Sequence, residues 1–339
     1  MRASGRRTHG NELAVKRREF ALAALAILIP SHRILAQAAK PRRIGFLGSG
    51  SAAAMVRPIE AFKAGLRELG YVEGKSIVVE YRWGDGNAER LAQYASEFLR
   101  LKLEIIIVWA TPAALAVKRA TSTVPIVMVS VGDPLSSGLV ADLARPRGNV
   151  TGMANLNETV IPKQLELLRQ VLAGITRVGI VHNPDNPSLA PQLAASEAGS
   201  RALGIQPHVV HARAANQLDD AFSSIASERA AAVLVLSDPI YLSERRRIAD
   251  LAMKYRLPTV FTRSENVDAG GLMSYGTSIT EQFRGGAKYV DKILRGASPG
   301  ELPVEQASTF EIVINLKTAQ ALGVRVPQDL VLRADRVIR

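Results

Sequence analysis

The chain has 339 residues, 47% of them hydrophobic and 22% charged, which is enough apolar material for a globular core at a length that ordinarily divides into about two domains. It contains no cysteine, which excludes disulfides, thiolate metal sites, a cysteine nucleophile and the lipid-bearing cysteine of a bacterial lipoprotein. The net charge is +12. Residues 1–38 hold seven Lys or Arg against two Glu, leaving +7 on a body whose bases are mixed with acids and form no basic–aromatic stripe, so nucleic acid is not an expected partner.

The first segment reads as a secretory leader. Lys16-Arg17-Arg18-Glu19-Phe20 is basic, 21–30 is apolar, and Ala36-Gln37-Ala38 is a small-x-small cleavage signal. The apolar run is shorter than the roughly 20 residues a bilayer span needs. Arg17-Arg18-Glu19-Phe20 resembles a twin-arginine signal, and the polar stretch before Val15 is long enough that translation could start near that residue. Removal of 1–38 would release a soluble periplasmic protein.

From residue 39 on, short apolar runs alternate with amphipathic stretches. Strands are expected at 43–47, 77–81, 105–109 and 125–131, with helices at 59–69, 88–101 and 113–120 between them. The run 105–109 is apolar throughout, as suits a parallel strand buried on both faces. The pattern then restarts. Helices are expected at 163–172, 190–203, 218–226 and 245–255, and strands at 178–182, 207–211, 232–237 and 259–262. Strand–helix alternation of this kind builds right-handed parallel units. The expected fold is therefore α/β, two Rossmann-like doubly wound parallel-sheet lobes. The turn at 145–152 suits a first crossing between them. Two more are expected near 271–275, before a helix at 280–294, and near 303–309, before a strand at 310–314. Lobe 1 is thus expected at 39–152 completed by 276–303, and lobe 2 at 153–275 completed by 304–339. Three crossing strands would make a hinge that bends without slipping.

In such sheets ligands sit beyond the carboxyl ends of the strands. That rule selects Ser49, Gly50 and Ser51 after the first strand, Trp109 and Thr111 after the third, and Gly132 and Asp133 after the fourth. In the second half it selects Asn183 after His182, then Ser237 and Asp238, then the stretch Arg263-Ser264-Glu265, with Glu265 as the candidate ligand group. Hydroxyls, amides, carboxylates and one indole suit a small polar or zwitterionic solute. Each has a plainer reading. Asp133-Pro134 and Asp238-Pro239 are also common turn or helix-start pairs, and Ser49 and Ser51 could cap a helix. Gly48-Ser49-Gly50-Ser51-Ala52-Ala53 fits G-x-G-x-x-A, but the acid that should end the second strand about 20 residues on is Glu80, well beyond that, and Pro58 implies a later helix start, so the loop reads as a solute-contacting turn rather than a dinucleotide site. No G-x-S-x-G elbow, paired carboxylates or metal spacing of His182, His208 and His211 marks a catalytic centre, and neither a cofactor nor a metal is expected.

Several motifs together resemble one family, the ABC transporter substrate-binding proteins that include tryptophan-binding lipoproteins. They are Gly132-Asp133-Pro134-Leu135-Ser136-Ser137-Gly138, Arg145-Pro146-Arg147-Gly148-Asn149-Val150-Thr151-Gly152, Gly70-Tyr71-Val72-Glu73-Gly74, Ala110-Thr111-Pro112-Ala113-Ala114, Asn183-Pro184 with Asn186-Pro187, and Arg333-Ala334-Asp335-Arg336. Arg147 stands where the family pattern has Gly. The resemblance covers essentially the whole chain after the leader. It implies a type I periplasmic-binding-protein fold, a permease and an ATPase as partners, no catalysis, and a cleft lined by the 49–51 loop, Thr111, Asp133, Asn155, Asn183 and the Asp238 loop. Trp109 would then supply apolar area and Asp133 or Asp238 would hold a ligand amine. The alternatives are an exported sensor that docks on a membrane receptor, and an oxidoreductase using the Gly48 loop.

Overall fold

The computed structural model describes residues 40–339, so the leader expected over 1–38 lies outside the described residues. Strands and helices alternate: β1 (Arg42–Gly48), α1 (Val56–Glu68), β2 (Ile77–Trp83), α2 (Ala88–Arg100), β3 (Ile105–Trp109), α3 (Thr111–Ala120), β4 (Ile126–Gly132) and β5 (Val150–Asn155). The second series is α4 (Ile161–Val171), β6 (Arg177–His182), α5 (Leu189–Ala202), β7 (Gln206–His211), α6 (Leu218–Ser227), β8 (Ala232–Val235), α7 (Pro239–Ser243), α8 (Arg245–Lys254), β9 (Thr259–Phe261), α9 (Ser264–Asp268) and β10 (Met273–Thr277). The chain closes with α10 (Ile279–Leu294), β11 (Glu305–Gln306), β12 (Phe310–Asn315) and β13 (Arg336–Ile338), the last two separated by short helices.

Two sheets result. The first has the order β11-β5-β4-β3-β1-β2 and is parallel throughout. The second has the order β13-β12-β10-β9-β8-β6-β7 and is parallel except where β12 runs antiparallel to β10. The first sheet keeps all of β5, through Asn155, and takes back Glu305 and Gln306 at its edge. The changes of sheet therefore fall at 156–160, at Ser278 and at 307–309, a few residues beyond 152, 275 and 303.

Both lobes are three layers deep, because each sheet is apolar on both faces. On the first sheet, Phe46, Phe62, Ile107 and Phe283 form one buried cluster, and Leu47, Phe98, Val108 and Val117 form the other. On the second, Leu165, Ile180 and Val260 lie on one face and Phe222, Val233 and Ile248 on the other. Phe46 meets the rings of Phe62, Tyr81, Trp83 and Phe283 at 5.3–6.4 Å, so truncating it would cost about 3–5 kcal/mol. Local signals fix the helix starts. Asn87 Oδ1 accepts from Arg90 N at 2.9 Å to open α2, and Ser278 Oγ accepts from Glu281 N at 3.3 Å to open α10. Pro58 falls in the first turn of α1, where its missing N–H costs nothing. Arg147, the departure from the family glycine, has φ +59°, a left-handed backbone that a glycine would adopt without strain. Among the described residues no helix is long and apolar enough to cross a membrane.

Candidate functional site

The carboxyl ends of the two sheets face each other across a narrow cavity of about 30 Å³. The loops that end β3, β4 and β5 form one wall, with Trp109, Ala110, Thr111, Ser130, Gly132 and Asn155. The loops that follow β6, β8 and β9 form the other, with Asn186, Ser188, Ser237, Asp238, Arg263 and Asn266, and Tyr241 and Phe261 add aromatic surface. The lobes touch across this space. Ser51 N donates to Ser243 Oγ at 3.1 Å, and Arg263 Nη2 donates to Ser130 Oγ at 2.8 Å. In a separate groove, Arg57 pairs with Asp268 at 3.5 Å.

Of the residues selected by strand ends, Trp109, Thr111, Gly132, Ser237 and Asp238 line the cavity, as does Asn155, which the family resemblance implied. Thr111 Oγ1 bonds both to Gly132 O (3.1 Å) and from Gly132 N (3.2 Å), which ties α3 to the end of β4. Asp238 is buried and caps α7, accepting from Ile240 N at 2.8 Å. Its other oxygen accepts from Asn183 Nδ2 at 3.2 Å and Asn186 Nδ2 at 2.9 Å. Burial pushes the Asp238 carboxyl above the usual range, and these donors pull it partly back.

The others lie outside the cavity, each for a definite reason. Ser49 is consumed by structure: its hydroxyl donates to Trp109 O at 3.0 Å and accepts from Ala113 N at 2.9 Å, so it braces the first turn of α3. Gly50 lies under the Trp109 ring, which a Cβ there would meet at 2.9 Å. Ser51 offers its backbone N–H to the opposite lobe rather than a side chain to a solute. Asp133 turns onto its own loop, where its carboxylate accepts from Ser136 N at 3.1 Å and from the Ser136 hydroxyl. Asn183 stands behind Asp238, and its Oδ1 accepts from Asp185 N at 3.0 Å. Glu265 enters the first turn of α9 and points to a separate groove with Arg57 and Arg245. Burial raises its carboxyl above the usual range.

The cavity also holds polar residues that were not candidate ligand groups, among them Ser130, Asn186, Ser188 and Arg263. Asn186 belongs to the Asn-Pro pair noted above and differs from Asn183 only in facing the cavity. Arg263 stands at the expected strand end, but the extended backbone there (φ −109°, ψ 131°) sends it inward and the helix that follows turns Glu265 away. Ser130 carries no sequence signal. It is exposed to the cavity by a register shift between Met128 and Val131 and by a φ of +55°. Ala110, with φ 67° and ψ 161°, occupies a region nearly reserved for glycine.

The family described as ABC transporter substrate binding protein matches residues 49–338. The chain belongs to that family. A tyrosine-binding protein of Clostridioides difficile is 24% identical over 266 residues, 78% of this chain and 76% of that one. The crystal structure of a conserved domain protein of Vibrio cholerae, 27% identical, superposes with a TM-score of 0.84 over 88% of this chain and 100% of that one. That of an ABC domain from Streptococcus pneumoniae in complex with L-Trp, 24% identical, does so at 0.83 over 88% and 100%. This substrate-binding protein thus has the type I periplasmic-binding-protein fold, and its activity is that of the substrate-binding component of an ABC transporter.

Proposed function

We propose that this substrate-binding protein works outside the cytoplasm, taking one amino-acid-like solute into the cavity between its lobes and handing it to a membrane permease driven by an ATPase, with no catalysis of its own. One observation carries the reading: the cavity walls come from different lobes and already meet through Arg263 and Ser130, so a solute between them contacts both and favours closure. The amino-acid class draws support from the two relatives described by tyrosine and L-Trp binding. The leader pattern at 16–38 supports export, by a Tat or a Sec route, and the absence of cysteine supports a periplasmic protein that carries no lipid. An oxidoreductase reading loses its motif, because the Trp109 ring fills the space over Gly50.

A thermal-shift screen of the purified chain against amino acids, sugars, nucleosides, organic acids and NAD(P) tests the class. A ligand that binds only the folded state at about 100 times its Kd adds about 2.7 kcal/mol. A shift with one or a few amino acids is expected. A shift with sugars alone would overturn the amino-acid class, and one with NAD(P) alone would overturn the transport reading.

A further inference from the structure

Two charged side chains line the cavity, and neither enters an ion pair among the described residues: Asp238 is satisfied by three N–H donors, whereas Arg263 keeps donors to spare. Arg263 is 6% exposed. Its guanidinium donates to Thr277 O at 3.3 Å and to Ser130 Oγ at 2.8 Å, both neutral, and among the described residues it enters no ion pair. The field of Glu265 reaches it, but that carboxylate lies in another groove. A guanidinium has five N–H donors, and a buried charge without a counter-charge is strongly unfavourable. Arg256 and Lys254, close by in sequence, remain at the surface, whereas Arg263 is held where its charge costs most.

The opposite wall is shaped to match. Ser130 Oγ accepts from both Arg263 Nη2 and Asn155 Nδ2 (3.0 Å), so its own hydrogen is left to donate. The backbone holds Ser130 there by a β-bulge and a positive φ, a conformation that persists only where its surroundings enforce it. Asn155 Oδ1, buried in the same wall, has no hydrogen-bond partner. The free N–H groups of Arg263 and the Ser130 hydroxyl are donors for an anion, and Asn155 Oδ1 calls for a donor beside it.

We infer that Arg263 is the anion anchor of this cleft, and that the solute is a carboxylate carrying a hydrogen-bond donor, an ammonium or hydroxyl, next to the acid. The carboxylate accepts from Arg263 on the second lobe and from Ser130 on the first, so the same group that confers charge selection also joins the lobes. The inference rests on the solute-binding reading above, and narrows it.

Matched pairs of ligands test it on the full-length chain by isothermal titration calorimetry: L-tryptophan with L-tryptophanamide, L-tyrosine with L-tyrosinamide, indole-3-lactate with its amide, and glucuronate with glucose. At least one acid should bind, with its neutral partner weaker by about 100-fold or more. Arg263→Met should lose the acid by a similar factor, and Arg263→Lys should keep part of it. Because Arg263→Met could disturb folding, its circular dichroism and melting are compared with the parent, and the ligand pairs on the unaltered protein decide the matter independently. A neutral member that binds as tightly as its acid overturns the anchor, even if amino acids prove to be the solutes. Binding of indole-3-lactate or glucuronate without any amino acid overturns the amino-acid class and leaves the anchor standing. Binding by none of the acids overturns the anchor.

Discussion

The two walls of the cleft are built from the same topological position, the carboxyl ends of parallel strands, yet they differ in kind. The first wall holds no charged side chain. Its character lies in the backbone: Ala110 and Ser130 both have positive φ without being glycine. The second wall holds Arg263 and Asp238, braced by the amides of Asn183 and Asn186. One wall thus supplies shape and neutral hydrogen bonds, and the other supplies charge. Strained backbone of this sort, at about 1–3 kcal/mol per residue, tends to gather where a binding surface must be preformed.

The largest effect on this contrast is expected at Asp238. Asp238→Ala removes a helix cap and leaves two buried amides without an acceptor, so the second lobe should lose about 3 kcal/mol, read as a lower denaturant midpoint. Asp238→Asn, which keeps one acceptor, should lose less, and an equal loss would mean that an amide oxygen cannot stand in for the carboxylate. Next comes the approach of the walls. A Cβ on Gly132 would meet Ser188 Cβ at 2.9 Å, so Gly132→Ala should hold the lobes apart. Solute affinity should then fall about tenfold, roughly 1.4 kcal/mol, with little change in melting. Unchanged affinity would show that closure tolerates the extra methyl.

A smaller effect separates strain from function. Ala110→Gly and Arg147→Gly both relieve a positive φ and should each add about 1 kcal/mol of stability, but only the first lies in the cavity wall. Solute binding should change for Ala110→Gly alone, and a change for both would count against the wall as the place where strain matters. The smallest effect is a pH dependence in the second lobe. His182 is partly buried with its Nδ1 3.3 Å from that of His211, and burial, then His211 and Arg213, draw its pKa below the ordinary 6.5. The unfolded chain therefore binds a proton near pH 6.5 that the folded chain refuses. Stability should fall as pH drops from 7 through that value, and His182→Asn should flatten the slope. An unchanged slope would exclude His182 as its source.

How much of this could be read in advance follows from the same contrast. Strand ends are written in the sequence as apolar runs stopping at Ser, Thr, Asn or Asp, and so Trp109, Thr111, Gly132, Ser237 and Asp238 could be placed at the cleft. The direction of a side chain beyond the strand end is not written there. Asp133 and Glu265 have the chemistry of ligand groups, but one folds onto the Ser136 amide and the other is carried off by a helix of five residues. Ser49 shows the converse, a polar residue in the right loop whose hydrogen bonds are already taken by α3. Arg263 was overlooked in favour of Glu265 because charge and position alone do not tell which of two neighbours faces inward. Ser130 depends on a register shift within an apolar strand, a feature of pairing with β5 that its own residues do not announce.

One pair of residues gives the molecule a built-in optical reporter. The chain has two tryptophans, Trp83 and Trp109, whose rings meet edge-on with centroids 6.4 Å apart at the end of the first sheet. Trp109 lines the cavity, and the Gly50 loop beneath it touches Ser243 of the opposite lobe. All of the indole emission therefore originates at this end of the first sheet, and any change in how the second lobe covers Trp109 alters the surroundings of half of the emitters. Opening and closing can be timed in the unlabelled protein by stopped-flow fluorescence, with tyrosine-like or aliphatic solutes leaving the signal to the protein alone.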